Sequence, residues 1–384
     1  MIPIGIILFF QDYLNFKKLK IMTRNPRIYI WKSHLIRGKE YIKKNRLINA
    51  YDELSKSIHL YGANYNKSNY EAHFLRGVIS SRWGLYKEAV SDLKLALLFN
   101  PKPGFSSFYE LGEAYLSLQE YKLAVPYFSR ALSIEPKDFN SLFNRGVCHY
   151  EYGGYKKAIL DFNRANKIKI DYDTFYNRGL CFFKIKNYKS AISDFNLAIN
   201  LGYKKGDLFL RRGVVKSRTK DYINAIKDFI KAINSNDLEN EDMAIAYLEQ
   251  AWAYIRIVEY KKGLTASDNG NMIMLMNNEV YRLMHLINKA YAYIKLSKFI
   301  AAENALNQAL KLKLEKQQLA FLLMLKGLSN TLGGNYNEAL KNFEKMFLKD
   351  SNILDKDEES IFDEVPEYMK NLIRISLNIS LKSN

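Results

Sequence analysis

One unit of about 34 residues is written repeatedly along this chain, and that period constrains the fold more than any other feature. Phe143-Asn144-Arg145-Gly146-Val147 leads to Tyr155-Lys156-Lys157-Ala158-Ile159-Leu160-Asp161-Phe162. Tyr176-Asn177-Arg178-Gly179-Leu180 leads to Tyr188-Lys189-Ser190-Ala191-Ile192-Ser193-Asp194-Phe195, and Leu210-Arg211-Arg212-Gly213-Val214 leads to Tyr222-Ile223-Asn224-Ala225-Ile226-Lys227-Asp228-Phe229. The marker glycine recurs at Gly38, Gly77, Gly112, Gly146, Gly179 and Gly213. A period of this length in a helix-forming sequence predicts a stack of two-helix units, each burying its apolar face on the next.

Composition supports a helical, non-catalytic protein. Hydrophobic residues make up 48% and charged residues 26%, with only 7 Pro, so the chain has the balance of a folded domain and not of a disordered one. Two Cys exclude a disulfide framework and a Cys-based zinc site. Phosphate-loop, HExxH, CxxC and GxSxG patterns are absent from the sequence. Cys148 and Cys181 share one register position in adjacent repeats and read as packing residues. No catalytic residue, cofactor site or metal site is assigned.

The residues at fixed places in the unit resemble the tetratricopeptide repeat. Counting 34 positions, repeat 105–138 has Phe108 at 4, Gly112 at 8, Tyr115 at 11, Ala124 at 20, Phe128 at 24, Ala131 at 27 and Pro136 at 32. Six regular repeats are expected over 31–240. Three degenerate ones over 241–353 keep Ala251, Ala290 and Gly327 at position 8. The resemblance implies an all-α solenoid, a right-handed superhelix of about nine helix-turn-helix units. Small residues at positions 8 and 20 let the two helices of a unit approach closely, and overpacking there would cost about 1–3 kcal/mol. Asp268-Asn269-Gly270-Asn271 is expected to shorten or bend the second helix of its repeat, with a seam near 235–282. Residues 354–384 read as an acidic linker followed by an amphipathic capping helix, since a solenoid must cover its last open face.

A second regularity links the two helices. Position 7 is Arg in five repeats, Arg37, Arg76, Arg145, Arg178 and Arg212. Position 23 is acidic in the same five, Glu53, Asp92, Asp161, Asp194 and Asp228. These are expected to be structural ion pairs inside each repeat.

The resemblance implies that the first helices line a concave groove. Phe74, Tyr109, Phe143, Tyr176, Leu210, Trp252 and Tyr291 would form its apolar floor, and Arg82, Lys184, Arg218, Arg256 and Lys295 its basic edge. Such a groove suits a peptide or helix of a partner protein with acidic flanks. Position 5 is never Lys and position 9 never Asn, which argues against the carboxylate clamp used by chaperone-binding members. The expected function is a non-catalytic cytoplasmic adaptor, by analogy within a bacterial assembly of the secretion or flagellar type.

Two rivals follow from charge and from the amino terminus. The net charge is +18, from 58 Lys+Arg and 40 Asp+Glu, and this supports sequence-independent RNA binding as an alternative. Residues 1–30 form an apolar then basic extension, with Ile2 to Phe10 followed by Lys17, Lys18 and Lys20. The order is wrong for a secretory signal. It reads as a membrane-surface anchor, as an upstream extension with translation starting at Met22, or as a segment packed on the first repeat.

Overall fold

The computed structural model describes residues 26–61, 70–100, 102–273 and 278–349. Among the described residues every regular element is a helix, and the helices come in pairs. The chain is an all-α solenoid of tandem helical repeats, divided into two compact units between Ile185 and Lys186. The first unit holds α1 (Pro26–Lys43), α2 (Leu47–Tyr61), α3 (Tyr70–Arg82), α4 (Tyr86–Phe99), α5 (Phe105–Ser117), α6 (Tyr121–Ile134), α7 (Phe139–Glu151), α8 (Tyr155–Ile168) and α9 (Tyr172–Lys184). The second holds α10 (Tyr188–Asn200), α11 (Gly206–Arg218), α12 (Tyr222–Ile233), α13 (Asn240–Arg256), α14 (Tyr260–Ile273), α15 (Glu279–Lys295), α16 (Phe299–Ala309), α17 (Lys316–Leu332) and α18 (Tyr336–Lys349). The apolar run at 2–10 and the proposed capping helix lie outside the described residues.

Each odd-numbered helix through α9 is the first of its repeat, as are α11, α13, α15 and α17. We call these A helices and their followers B helices. The turn between them has one backbone solution. Position 15 is left-handed in all nine repeats, at Asn45, Gly84, Gln119, Gly153, Lys186, Lys220, Val258, Ser297 and Gly334, with φ between 54° and 88°. Glycine fills it three times because it lacks the Cβ that penalises this conformation.

The position 8 glycines explain how tightly A meets B. A Cβ on Gly146 would lie 2.7 Å from Cε1 of Phe162, and one on Gly213 would lie 2.7 Å from Cε1 of Phe229. The same contact recurs with leucine, since a Cβ on Gly77 would lie 2.8 Å from Cγ of Leu93. Position 8 is thus the seat of the position 24 side chain, which is buried in both the Phe and the Leu versions. Burying such a side chain contributes about 1.5–3 kcal/mol.

The expected break at Asp268-Asn271 does not occur. Helix α14 runs through these residues to Ile273. Gly263 and Gly270 occupy positions 20 and 27, both buried. A Cβ at Gly270 would lie 3.1 Å from the Ala244 carbonyl oxygen, so this glycine brings α14 onto α13 instead of ending the helix. The longer spacing of the last three repeats has an equally regular cause. Helices α13, α15 and α17 have 17 residues each, against 13 for α5, α7, α9 and α11. The extra residues form about one added helical turn at the A-helix amino terminus.

Candidate partner-binding face

In the first unit the A helices neighbour one another in the order α3, α5, α7, α9. Their position 5 side chains, Phe74, Tyr109, Phe143 and Tyr176, are all half-buried. Position 9 adds Val78, Glu113, Val147 and Leu180, also half-buried, and position 13 adds Arg82, Ser117, Glu151 and Lys184 in the open. The aromatics are not free-standing. Tyr109 meets Phe128 edge-on at 6.0 Å and stacks on Phe105 at 5.5 Å. Phe143 lies 5.8 Å from Phe162. One side of the Tyr109 and Phe143 rings packs on the position 24 core residue while the rest stays at the surface. Truncating them therefore costs stability as well as surface.

Repeat 3 places two carboxylates in the middle of this strip. Glu110 and Glu113 are both half-buried on α5. The Asn144 amide donates to Glu113, and also to the Tyr109 hydroxyl at 3.5 Å. Burial raises the pKa of Glu110, and the adjacent Glu113 raises it further, against the pull of Arg82. Burial likewise raises the Glu113 pKa, although the hydrogen bonds from Tyr109 and Asn144 oppose it. Burial and the same carboxylate hold the Tyr109 phenol protonated well above its usual range.

The second unit uses the same register positions differently. Leu210 and Leu248 are fully buried, and Tyr291 is 2% exposed. Leu210 and Tyr291 are core residues, not groove floor. Here α11, α13, α15 and α17 close on one another, and the longer A helices extend that closure. Trp252 is half-buried with its ring 5.7 Å from Tyr291. The expected basic edge is likewise engaged. Arg218 donates to Glu249 at 2.9 Å, Arg256 lies over Tyr222 and Trp252, and Lys295 lies over Tyr291. Arg82 and Lys184 of the first unit remain exposed.

The position 7 arginines sit between helices. Arg76 reaches Asp92 through Nε at 2.7 Å and Nη2 at 2.8 Å, and Arg145 reaches Asp161 at 2.8 and 2.6 Å. Arg212 holds Asp228 at 2.8 and 2.6 Å, and Arg37 Nε is 3.0 Å from Glu53. Arg178 belongs to the first unit and Asp194 to the second. Planar two-point contact of this kind is the strong form of the interaction. Burial alone would raise the Asp92 pKa, but hydrogen bonds from His73 and Arg76 and their charges hold it below the usual range. Glu53 is held low in the same way by His34, Lys56 and Arg37.

Sequence reasoning missed the other half of this arrangement. Arg76 also donates to Ser55, Arg145 to Ser129 and Arg212 to Asn196, each at position 25 of the preceding repeat. Lys289 reaches Asp268 at 3.2 Å and Lys326 reaches Asn307 at 2.8 Å through the same pair of positions. The two repeats without a cation at position 7, with Leu111 and Gln250, follow Lys94 and Ile230 at position 25. Pairing position 7 with position 25 of the previous repeat would have revealed the rule. His34 and His73 were also missed as partners, with Nδ1 2.8 Å from Glu53 and 2.9 Å from Asp92.

Ser267 Oγ lies 3.0 Å from His285 Nδ1, and His285 Nε2 lies 4.0 Å from Asp268. Ser267 is fully buried within α14, so its contact with His285 ties α14 to α15. Cys148 and Cys181 are fully buried, and burial pushes the Cys148 thiol up to about 12. No described group of His, Cys, Asp or Glu has the arrangement of a metal site. No described helix is long and apolar enough to cross a membrane.

Models of the tetratricopeptide repeat match residues 105–138, 172–201 and 286–316. Human Superkiller complex protein 3 is 35% identical over 97 residues, which is 25% of this chain and 6% of that protein. Tetratricopeptide repeat protein 37 of Xenopus laevis is 34% identical over 90 residues, 23% of this chain and 6% of that protein. The chain thus spans a small fraction of the length of the curated relatives it matches. Among solved structures, a tetratricopeptide repeat protein from Parabacteroides merdae aligns with a TM-score of 0.48 at 18% identity, over 68% of this chain and 99% of that one. YrrB, described as a TPR protein with an unusual peptide-binding site, aligns with a TM-score of 0.43 at 24% identity, over 48% of this chain and 91% of that one. The chain thus carries tetratricopeptide repeats over residues 105–138, 172–201 and 286–316.

Proposed function

We propose that this interaction scaffold works as a non-catalytic adaptor that holds a peptide or helix of a partner protein on the A-helix face of its first unit. The observation that carries the reading is the run of half-buried aromatics at one register position on four successive A helices, Phe74, Tyr109, Phe143 and Tyr176. Rings with one side in the core are rigid and amphipathic, so a partner gains contact area at little entropic cost. The exposed Arg82 and Lys184 favour acidic residues at the ends of the bound segment. Membership of a larger bacterial assembly belongs to the reading by analogy alone.

The test uses a partner recovered by pull-down and identified by mass spectrometry. Its affinity is measured by calorimetry against wild type, Val147→Asp on the A-helix face, and Leu160→Asp on a B helix. Leu160 is 64% exposed. V147D should weaken binding at least ten-fold and L160D should leave it unchanged, with both variants folded at the assay temperature. Equal effects of the two substitutions would refute the A-face reading.

A further inference from the structure

The added turn that lengthens α15 differs in chemistry from its counterparts. The added turns of α13 and α17 end in Met243 and Leu319, and the position 3 residues that follow are Ala246 and Leu322. In α15 those two places hold Arg282 and His285. Position 28 of the preceding B helix changes with them, from Ile233 in repeat 6 and Leu310 in repeat 8 to Asn271 in repeat 7. Three places that are apolar in neighbouring repeats thus turn polar together, and in space they meet. Asn271, Asn278, Tyr281, Arg282, His285 and Gln308 line one cavity of about 140 Å³ at α14, α15 and α16, with Leu286 as its one apolar wall. A space of this size suits a small molecule, since a cavity of about 150 Å³ holds a benzene ring.

His285 is 6% exposed, and one edge of its ring is committed. Nδ1 lies 3.0 Å from the Ser267 carbonyl oxygen. A carbonyl only accepts, so Nδ1 carries the proton and donates. Burial and the charges of Lys289 and Arg282 keep the imidazole neutral, although the Ser267 carbonyl and Asp268 oppose them. Nε2 is therefore a lone pair, and no donor among the described residues bonds to it. The Asp268 carboxylate, 4.0 Å away, is itself an acceptor and is held by Lys289 at 3.2 Å. A buried acceptor left without a donor carries a desolvation cost. Arg282 has the opposite need. It is exposed and makes no ion pair among the described residues. It also stands at the amino-terminal end of α15, where the helix dipole favours an anion. Glu241 of α13 reaches the site only as the acceptor of the Tyr281 hydroxyl, at 2.5 Å, and α16 supplies the neutral amide of Gln308.

An anion that brings its own hydroxyl satisfies both groups. We propose that this cavity binds inorganic phosphate, with Arg282 and the amides of Asn271 and Gln308 on its charged oxygens and Nε2 of His285 accepting its remaining O–H. Inorganic phosphate keeps an O–H at neutral pH, whereas sulfate has none and a phosphate monoester gives up its last near about pH 6. The site therefore selects the free ion. Held there, phosphate ties α14, α15 and α16 together and stabilises the second unit. The adaptor reading concerns the first unit and does not depend on it.

Calorimetry on the full chain with inorganic phosphate, sulfate and O-phosphoserine, at matched ionic strength and about pH 7.5, tests the site. Phosphate should bind about ten-fold more tightly than the other two, or better, because only phosphate satisfies Nε2. Lowering the pH toward about 5 puts a proton on Nε2 and should narrow the gap to sulfate. Arg282→Gln, at an exposed position, should keep the wild-type melt and lose binding of all three anions. His285→Asn keeps a donor for the Ser267 carbonyl and removes Nε2, so it should bind phosphate and sulfate alike. Phosphate should also raise the melting temperature of wild type and leave that of R282Q unchanged.

Equal affinity for phosphate and sulfate at the higher pH would overturn the choice of phosphate. Undiminished binding in R282Q, or no saturable binding of phosphate to wild type, would overturn the site itself.

Discussion

Val258 is the one β-branched residue at the left-handed turn position, with φ of 71° and 67% exposure. The conformation costs an L-residue about 1–2 kcal/mol, at the upper end for a side chain branched at Cβ. Replacement by glycine removes that strain but returns about 0.5–1 kcal/mol through the greater freedom of the unfolded chain. Exposure leaves little burial to lose, so Val258→Gly should stabilise the second unit by about 0.5–1 kcal/mol. Val258→Asn should do at least as well, because asparagine tolerates the conformation without glycine's flexibility. The mirror change Gly153→Val, at φ of 88° with nothing within 4 Å of an added Cβ, should destabilise by about 1–3 kcal/mol. Urea melts followed by circular dichroism read all three. If V258G and V258N both left the second unit unchanged or weaker, the claim that the turn dictates position 15 would fail.

Two further outcomes follow from the buried charges. Arg145→Ala strands Asp161, whose side chain is 5% exposed, and should cost about 3–5 kcal/mol. Arg37→Ala, with a side chain 51% exposed, should cost less than about 1 kcal/mol. Similar losses in the two melts would contradict this. Burial, together with nearby cations, holds His149 and His285 below the usual histidine range. The unfolded chain therefore takes up protons that the fold refuses, and this stability is full above about pH 6.5 and lost as pH falls below it. Glu110 and Glu113 run the other way, favouring the fold while protonated. Melting temperature should fall from pH 7.5 to 5.5, and less in His149→Gln/His285→Gln. An unchanged slope in that variant would refute the assignment.

Much of the fold was legible because a repeat writes its contacts many times. Gly146 and Phe162 are as far apart as Gly213 and Phe229, and the same contact follows each time. The carboxylate that answers each position 7 arginine was equally readable within a repeat. The bond to position 25 crosses from one repeat to the next, so scanning each unit by itself hid it. Asp268-Asn269-Gly270-Asn271 reads as a helix breaker by local preference, yet Gly270 sits at position 27, where a small residue lets α14 pack on α13. Tertiary contact overrode propensity. The groove was the least legible feature. Whether a position 5 side chain faces solvent depends on how closely neighbouring A helices approach. Tyr176 and Leu210 occupy the same register, but Tyr176 is half-buried and Leu210 fully buried.

Hydrogen–deuterium exchange on the full chain, with and without its captured partner, tests the central claim most directly. The account predicts added protection along α3, α5, α7 and α9, and little change in α4, α6 and α8. Protection confined to the B helices, or to the second unit, would contradict it.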